Sequence, residues 1–585
     1  MTGTPSPADW RDGWIYFLLV DRFNNPTQPP HRTWDMPWNG FQGGTLPGIT
    51  AELDYVRGLG ASAIWLSPVL QNVASDPGAY HGYGIQNFTR VEPRFCADPA
   101  RARIDTVYAD SQLRELVDAA HARGLSVILD IVINHTGDVF AYDGSGSIAP
   151  WRDGPPYPIH WRNADGQPNP DWATAPDNAP DDAAVHPQAL LRDDAFRRLG
   201  NAFNAPGHDP SLAGDFYSLK EMVTTLQDGS GRYLVRDALI DCYADIIRRF
   251  DIDGFRIDTL MYVERDFALT FGNAMREYAE GIGKTNFFTF GEVYADEQKI
   301  SGYVGRHVGD GDLVGVDAAL DFPLFYVLPS ITKGLLAPQA VIDMYALRRR
   351  LEDGVISSHG DASRYFVTFA DNHDQPSRLR YQDPTDPHRY DDQVSLTLAV
   401  LMSLQGVPCV YYGTESGLSG SGDHPEAVRQ ALWGAPDAFD LAHQPFASTL
   451  QALSAARAAR PELRYGRQYF RVLSGNGTSF GYSEFAGGIL AFSRILAASE
   501  VVVVANTNTA AAFTGHVLVD ADLTPPGTHL AVTYSNQAGA PSPGVAVERP
   551  AGTVTVVDGN STSTGPICTV EIALRPMEIQ ILTLG

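Results

Sequence analysis

A chain of 585 residues is too long for a single compact core, so two or three domains are expected. Its 44% apolar and 10% aromatic content excludes a disordered chain. A formal net charge of -26 argues against a nucleic-acid or anionic-membrane partner and suits a protein whose ligand is neutral.

One pattern recurs through the first 460 residues: a short apolar run, a polar loop, then an amphipathic helix. The first run, WIYFLLVDRF (14–23), is too short to cross a membrane and reads as a strand. ASAIWLSPV (61–69) and SVILDIVINH (126–135) follow, separated by SQLRELVDAAHARG (111–124), a helix with a Ser cap and a stop at Gly124. The stretch 136–231 breaks the rhythm. It is rich in Pro, Gly, Asp and Asn, and too long for a loop, so it reads as an inserted domain. The alternation resumes with the helix LVRDALIDCYADIIRRF (234–250) and the strands DGFRIDTL (253–260) and FFTFGEV (287–293). DLVGVDAALDF (312–322), YFVTFADNHD (365–374), the helix SLTLAVLMSLQG (395–406) and VPCVYYGTE (407–415) complete it.

Strands apolar on both faces and alternating with helices imply a parallel sheet, and eight such units make a (β/α)8 TIM barrel, an α/β fold. From 461 onward the pattern changes to short β-branched runs such as EVVVVANTNT and CTVEIALRPMEIQILTL, separated by turn residues. That predicts a C-terminal antiparallel β-sandwich. The expected division is 1–135 with 232–460 for the barrel, 136–231 for the domain inserted after strand three, and 461–585 for the sandwich. Cys96, Cys242, Cys409 and Cys568 lie at no metal spacing and read as buried small side chains. No signal peptide or membrane span is visible, so a secreted mature form and a cytoplasmic protein both stay open, as a monomer or weak homo-oligomer.

In such a barrel the active site lies at the C-terminal ends of the strands. Strand three ends in Asp130, Asn134 and His135, strand four in Arg256 and Asp258, strand five in Glu292, and strand seven in Asp371, His373 and Asp374. Three independent strands thus bring a carboxylate to one mouth. Period-two alternation puts Arg256 and Asp258 on one face, where the guanidinium keeps the aspartate ionised, as a nucleophile requires. Taken alone, that pair could equally brace the barrel. The apolar approach FFTF would raise the pKa of Glu292, which suits a proton donor. One ionised and one protonated carboxyl group describe a retaining glycosidase.

The ordered segments DIVINH, GFRIDTLMYV, FGEVY, FADNHD and GVPCVYYGTE, with FQGGTLPGI and YHGYGIQNF upstream, resemble the α-amylase family, glycoside hydrolase family 13. The resemblance implies Asp258 as nucleophile, Glu292 as general acid/base and Asp374 as a third carboxylate gripping sugar hydroxyls. It implies His135 and His373 as hydroxyl partners, Arg256 as the group orienting Asp258, and Tyr83 as a ring stacked on the sugar being cleaved. GDHPEAVRQALW resembles the loop after strand eight, where Asp423 and Arg429 would meet more distant sugars, although one extra residue precedes the arginine. Relatives of this family often hold a structural Ca2+ between barrel and inserted domain. Asn134 and Glu221 match ligand positions, a carbonyl near Tyr262 could join them, and DRFNN (Asp21, Asn24, Asn25) is a second candidate. No organic cofactor is implied.

Two departures stand out. Many relatives carry a Lys-His pair after the nucleophile, where this chain has Met261 and Tyr262. An apolar, aromatic surface there implies an altered acceptor site, for short or α-1,6-linked substrates or for a sugar acceptor in place of water. Thr45 replaces an acidic residue in FQGGTLPGI. The expected substrate is an α-glucan such as starch or a maltooligosaccharide. Hydrolysis and transglycosylation stay open, as does plain endo-acting amylase action. A non-catalytic sugar-binding relative is disfavoured because all three carboxylates are present. A metal-dependent reaction is disfavoured because His135 and His373 have no obvious third partner.

Overall fold

The computed structural model describes residues 3–204, 214–537, 539, 544–550, 553–558 and 561–584. Eight parallel strands form the first sheet: Ile15–Leu18, Ala63–Leu66, Ser126–Val132, Gly254–Asp258, Phe288–Gly291, Ala318–Ala319, Val367–Thr368 and Val407–Tyr411. Numbered one to eight along the chain, they lie in the order 6-5-4-3-2-1-8-7. A parallel bridge from Leu320 to Val367 joins strand six to strand seven and closes the (β/α)8 barrel.

The strands are buried on both faces, which explains their unbroken apolar character. Inside the barrel, Phe17 stacks on Trp65 with ring centroids 3.8 Å apart, and Trp65 meets Phe290 edge-on. The helix Leu234–Phe250 buries Leu239, Tyr243, Ile246, Ile247 and Phe250 against the barrel and ends at Asp251, which adopts the left-handed conformation.

Two local expectations are corrected. The helix expected from Ser111 begins at Thr106 and runs to His121, and its cap is Asp105, whose carboxylate accepts the Tyr108 N–H. Asp105 satisfies an orphan amide one turn earlier, so Ser111 lies inside the helix. The run WIYFLLVDRF is a strand only to Leu18, and Val20–Phe23 turns into a short helix that buries Asp21 and Arg22. Thr45 has a local explanation: its hydroxyl accepts the Gly48 N–H and caps the helix Leu46–Ala51.

After strand three the chain forms short antiparallel pairs and 3-10 turns. Phe140–Tyr142 pairs with Ile159–Trp161 around an aromatic cluster of Phe140, Trp161 and Phe196. Residues 205–213 of this stretch lie outside the described residues. His135–Thr136 pairs with Lys220–Glu221, which ties the end of strand three to the return of the chain.

Beyond the barrel, nine strands form an antiparallel sheet, with a three-stranded layer beside it. Strand Ser499–Asn506 shows how it packs. Val501 and Val503 join the barrel's hydrophobic cluster, while Val502 and Val504 face a separate core with Leu530, Val570 and Leu582. Period-two alternation thus glues one face to the barrel and fills the C-terminal core with the other. The four cysteines are buried and unpaired. Among the described residues, no helix is long and apolar enough to cross a membrane.

Candidate active site

A cavity of about 560 Å³ opens at the C-terminal ends of the strands. Asp258, Glu292 and Asp374 line it together with Tyr83, His135, Met261, Tyr262 and Arg429. Arg256 lies beneath it, fully buried. Its Nη1 donates to Asp258 Oδ1 at 2.8 Å and to Asp130 Oδ1 at 2.7 Å, and its Nη2 lies 2.8 Å from Glu292 Oε2. One guanidinium therefore holds the carboxylates of strands three, four and five.

Local backbone geometry places Asp258 and Glu292. Thr259, directly after Asp258, sits in the left-handed region at φ 46°, which is costly for a β-branched residue. That turn aims the Thr259 N–H at Glu292 Oε2, 3.1 Å away. Gly291 precedes Glu292 because Leu260 packs against it, where an added Cβ would meet Leu260 Cδ2 at 2.1 Å.

Burial and neighbouring charges act on the three carboxyl groups to different extents. Burial pushes the Glu292 carboxyl up to about 7; Arg256 opposes this and Asp258 and Asp374 add to it. Burial also raises Asp258; Arg256 pulls it down, and Asp374 pushes it up again. The net upward direction runs against the expectation that the guanidinium keeps this aspartate ionised, because burial outweighs the pull of Arg256. Asp374 moves the other way. Burial acts upward on it, but His373 at 2.9 Å and Arg429 at 2.6 Å hold it well below the usual carboxylate range. Burial lowers His135 to about 4 and lowers His373 as well, so both favour the neutral form that can bond hydroxyls.

His135 Nε2 is buried, has no hydrogen-bond partner among the described residues, and stands 4.0 Å from Asp258 Oδ2. Tyr83 donates to Asp130 at 2.9 Å, and its hydroxyl lies 2.7 Å from His373 Nε2, which fixes the ring at the cavity wall. Asp130 also takes the Trp65 indole N–H, which fits a brace. Asp371 turns away to Leu379 N and Thr414, so the end of strand seven lines the cavity with Asp374 and Gln375, and His373 is buried behind them against Tyr83 and Asp374. Asp423 is exposed and is not brought to the cavity; Glu426, three residues on, lines it instead.

His81, Phe216, Thr259, Tyr294 and Asn39 also line the cavity and were missed from sequence. His81 lies within YHGYGIQNF, Thr259 within GFRIDTLMYV and Tyr294 within FGEVY, so the motifs carry a signal for these three. Phe216 lies in the interrupted stretch and packs edge-on to Tyr262, with centroids 5.7 Å apart.

Asn134 and Glu221 meet at the barrel junction, and each leaves one buried oxygen, Asn134 Oδ1 and Glu221 Oε2, without a hydrogen-bond partner among the described residues. Two oxygens fall short of the six to eight that calcium takes, and Arg197 already pairs with Glu221 at 3.3 Å. Among the described residues, the side chains at this junction therefore do not fit a calcium cage. Among the described residues, no group of three or more His, Cys, Asp or Glu could hold a metal. The second candidate is also spent: Asp21 accepts the N–H groups of Gln42 and Gly43, and Asn24 and Asn25 donate to the Gly48 and Gly43 carbonyls.

The chain is 28% identical over 506 residues to an α-amylase of Streptomyces lividans, covering 78% of this chain and 49% of that protein, so the match spans about half of that relative's length. An uncharacterized glycosyl hydrolase of Schizosaccharomyces pombe is 28% identical over 432 residues, covering 72% and 70%. The solved α-amylase of Geobacillus thermoleovorans, complexed with acarbose, superposes with a TM-score of 0.65 at 23% identity, covering 99% of both chains. A cyclomaltodextrin glucanotransferase with a three-domain ABC distribution gives 0.67 at 21% identity, covering 98% and 99%. At these identities the structural likeness is one of fold. The family model described as the alpha amylase catalytic domain matches residues 17–451, from strand one past the loop that carries Arg429. Strands two to eight, the end of strand one and the residues at the strand ends fall within that match, and the chain belongs to the α-amylase family.

Proposed function

We propose that the protein is a retaining enzyme that cleaves α-glucosidic bonds of maltooligosaccharides or starch through a covalent glycosyl-enzyme intermediate. The observation that carries this reading is the tethering of Asp258 and Glu292 to one guanidinium. Carboxylates held that way suit the short spacing, about 5–5.5 Å, of a nucleophilic mechanism better than the wider gap an intervening water needs.

Oδ1 of Asp258 is engaged by Arg256, which leaves Oδ2 to attack the anomeric carbon. As that C–O bond forms, the glycosidic C–O bond breaks and Glu292 gives its proton to the departing oxygen. In the second half Glu292 takes a proton from water or a sugar hydroxyl, which displaces Asp258. Asp374, His135 and His373 hold hydroxyls of the sugar, and Tyr83 covers its apolar face.

The need for a protonated Glu292 sets the alkaline limb of activity. With its pKa near 7, kcat/KM on maltotetraose should fall about tenfold per pH unit above that value. The acid limb appears where Asp258 gains a proton. These apparent values belong to the coupled pair. A profile flat from pH 6 to 9 would remove Glu292 as the acid.

The acceptor side favours transfer to sugars, or short and α-1,6-linked substrates, over plain endo-attack. Met261 and Tyr262 offer apolar area where a Lys-His pair would offer charge, and Phe216 and Tyr294 extend the same wall. Such a surface can hold a short sugar acceptor against competition from water. Met261→Lys with Tyr262→His should shift the transfer-to-hydrolysis ratio on maltooligosaccharides about tenfold toward hydrolysis. Chromatography of products from maltotetraose and from starch tests the whole reading. Longer or cyclic products mean transfer, shorter sugars alone mean hydrolysis, and no reaction with either substrate would overturn it.

A further inference from the structure

We infer that Arg197 is the built-in cation of the junction between the barrel and the stretch inserted after strand three, and that the protein holds this junction together without calcium. The family resemblance implies an ion there. A guanidinium takes its place.

The oxygens that the resemblance offers to calcium are drawn elsewhere. Glu221 is buried on the short strand that pairs with His135–Thr136. Its Oε1 lies 3.3 Å from Arg197 Nε, and the Arg197 backbone N–H donates to its carbonyl at 3.1 Å. The carbonyls on either side of Tyr262, those of Met261 and Val263, both accept from the Tyr303 hydroxyl, at 3.1 and 3.2 Å. Asn134 Oδ1 and Glu221 Oε2 keep no partner among the described residues. A divalent ion on those two oxygens would share the Glu221 carboxylate with a fixed positive charge that repels it. A second fixed charge stands one residue away. Lys220 is fully buried, donates to the Ser147 carbonyl, and lies 3.4 Å from Asp138 and 3.5 Å from Asp215.

Arg197 also does what a bridging ion does, which is to join carboxylates from separate segments. Its Nη2 lies 3.4 Å from Glu264 Oε1. Glu264 precedes the helix Arg265–Gly281 and follows the loop that brings Met261 and Tyr262 to the cavity. The other oxygen of Glu264 accepts from the Thr224 hydroxyl and lies 3.9 Å from Arg236 Nη2. One guanidinium thus ties the inserted stretch to the strand beside His135 and to the loop after strand four. Its planar fork of five donors can serve two carboxylates in different directions, and its charge is permanent.

Melting curves of the full chain, dialysed against EDTA and then against millimolar calcium, test the assignment. An ion bound only by the folded state raises the midpoint with its concentration, so the wild-type midpoint should be the same in both buffers. Arg197→Ala leaves the buried Glu221 carboxylate without its partner and should lower the midpoint in EDTA by about 5 °C. Calcium should then recover part of that loss in the variant, because Glu221, Glu264 and Asn134 no longer face the guanidinium. A wild-type midpoint that falls in EDTA or rises with calcium would overturn the inference, and that comparison stands whether or not the variant folds. A variant that melts as the wild type does, or whose loss calcium leaves untouched, would overturn it as well.

Discussion

Asp258→Asn should leave the protein folded and reduce turnover of maltooligosaccharides by about 10⁴- to 10⁶-fold, the loss seen when a member of a cooperating catalytic set is removed. The side chains are nearly isosteric, and the asparagine carbonyl can still accept from Arg256 Nη1 where Asp258 Oδ1 does at 2.8 Å. Removing one charge also relieves the repulsion between Asp258 and Asp374. The lost charge matters because an amide oxygen forms no stable ester with the anomeric carbon. Melting curves beside initial rates on maltotetraose separate folding from chemistry. A variant that kept most of its activity would remove Asp258 from the mechanism.

Glu292→Gln should slow natural glycosides about 10³-fold, within the range for loss of a general acid. The glutamine can still accept the Thr259 N–H that now bonds Oε2 at 3.1 Å, so the site keeps its shape. An aryl α-glycoside with a good leaving group needs no proton to depart and should still form the intermediate. Azide should then speed turnover by attacking the anomeric carbon without a general base, giving a glycosyl azide. Equal slowing of activated and unactivated substrates, with no azide effect, would exclude the proton-donor role.

Much of the fold was legible because its signals are local. Strand runs buried on both faces, such as GFRID and VPCVY, can only lie in a covered parallel sheet, and eight of them alternating with helices close a barrel. The change to β-branched runs after 461 marked the antiparallel part in the same way. Residues at strand ends were legible too: Asp258, Glu292, Asp374 and His135 all reach one cavity, as does Tyr83 from the motif YHGYGIQNF. Helix starts were less legible, since Asp105 and Ser111 are both good caps and only the hydrogen-bonded amide chooses between them.

Contacts between distant segments were not legible, because spacing along a chain says nothing about which loop crosses which. Glu426 rather than Asp423 lines the cavity because the loop after strand eight folds onto Tyr80, where Tyr80 meets both Glu426 and Arg429. Glu221 has an arginine for a partner because residue 197 returns beside it. Asn39 sits at the cavity through Arg22, Tyr80 and Arg429, three residues from three different strand-to-helix connections. The sequence by itself determined the barrel, placed three carboxylates at its strand ends and carried the family's motifs, since periodicity, strand ends and motifs are written in consecutive residues. Only the tertiary structure decided the directions in which those carboxyl pKa values shift and the outer walls of the cleft, because both depend on burial and on groups brought together from across the chain.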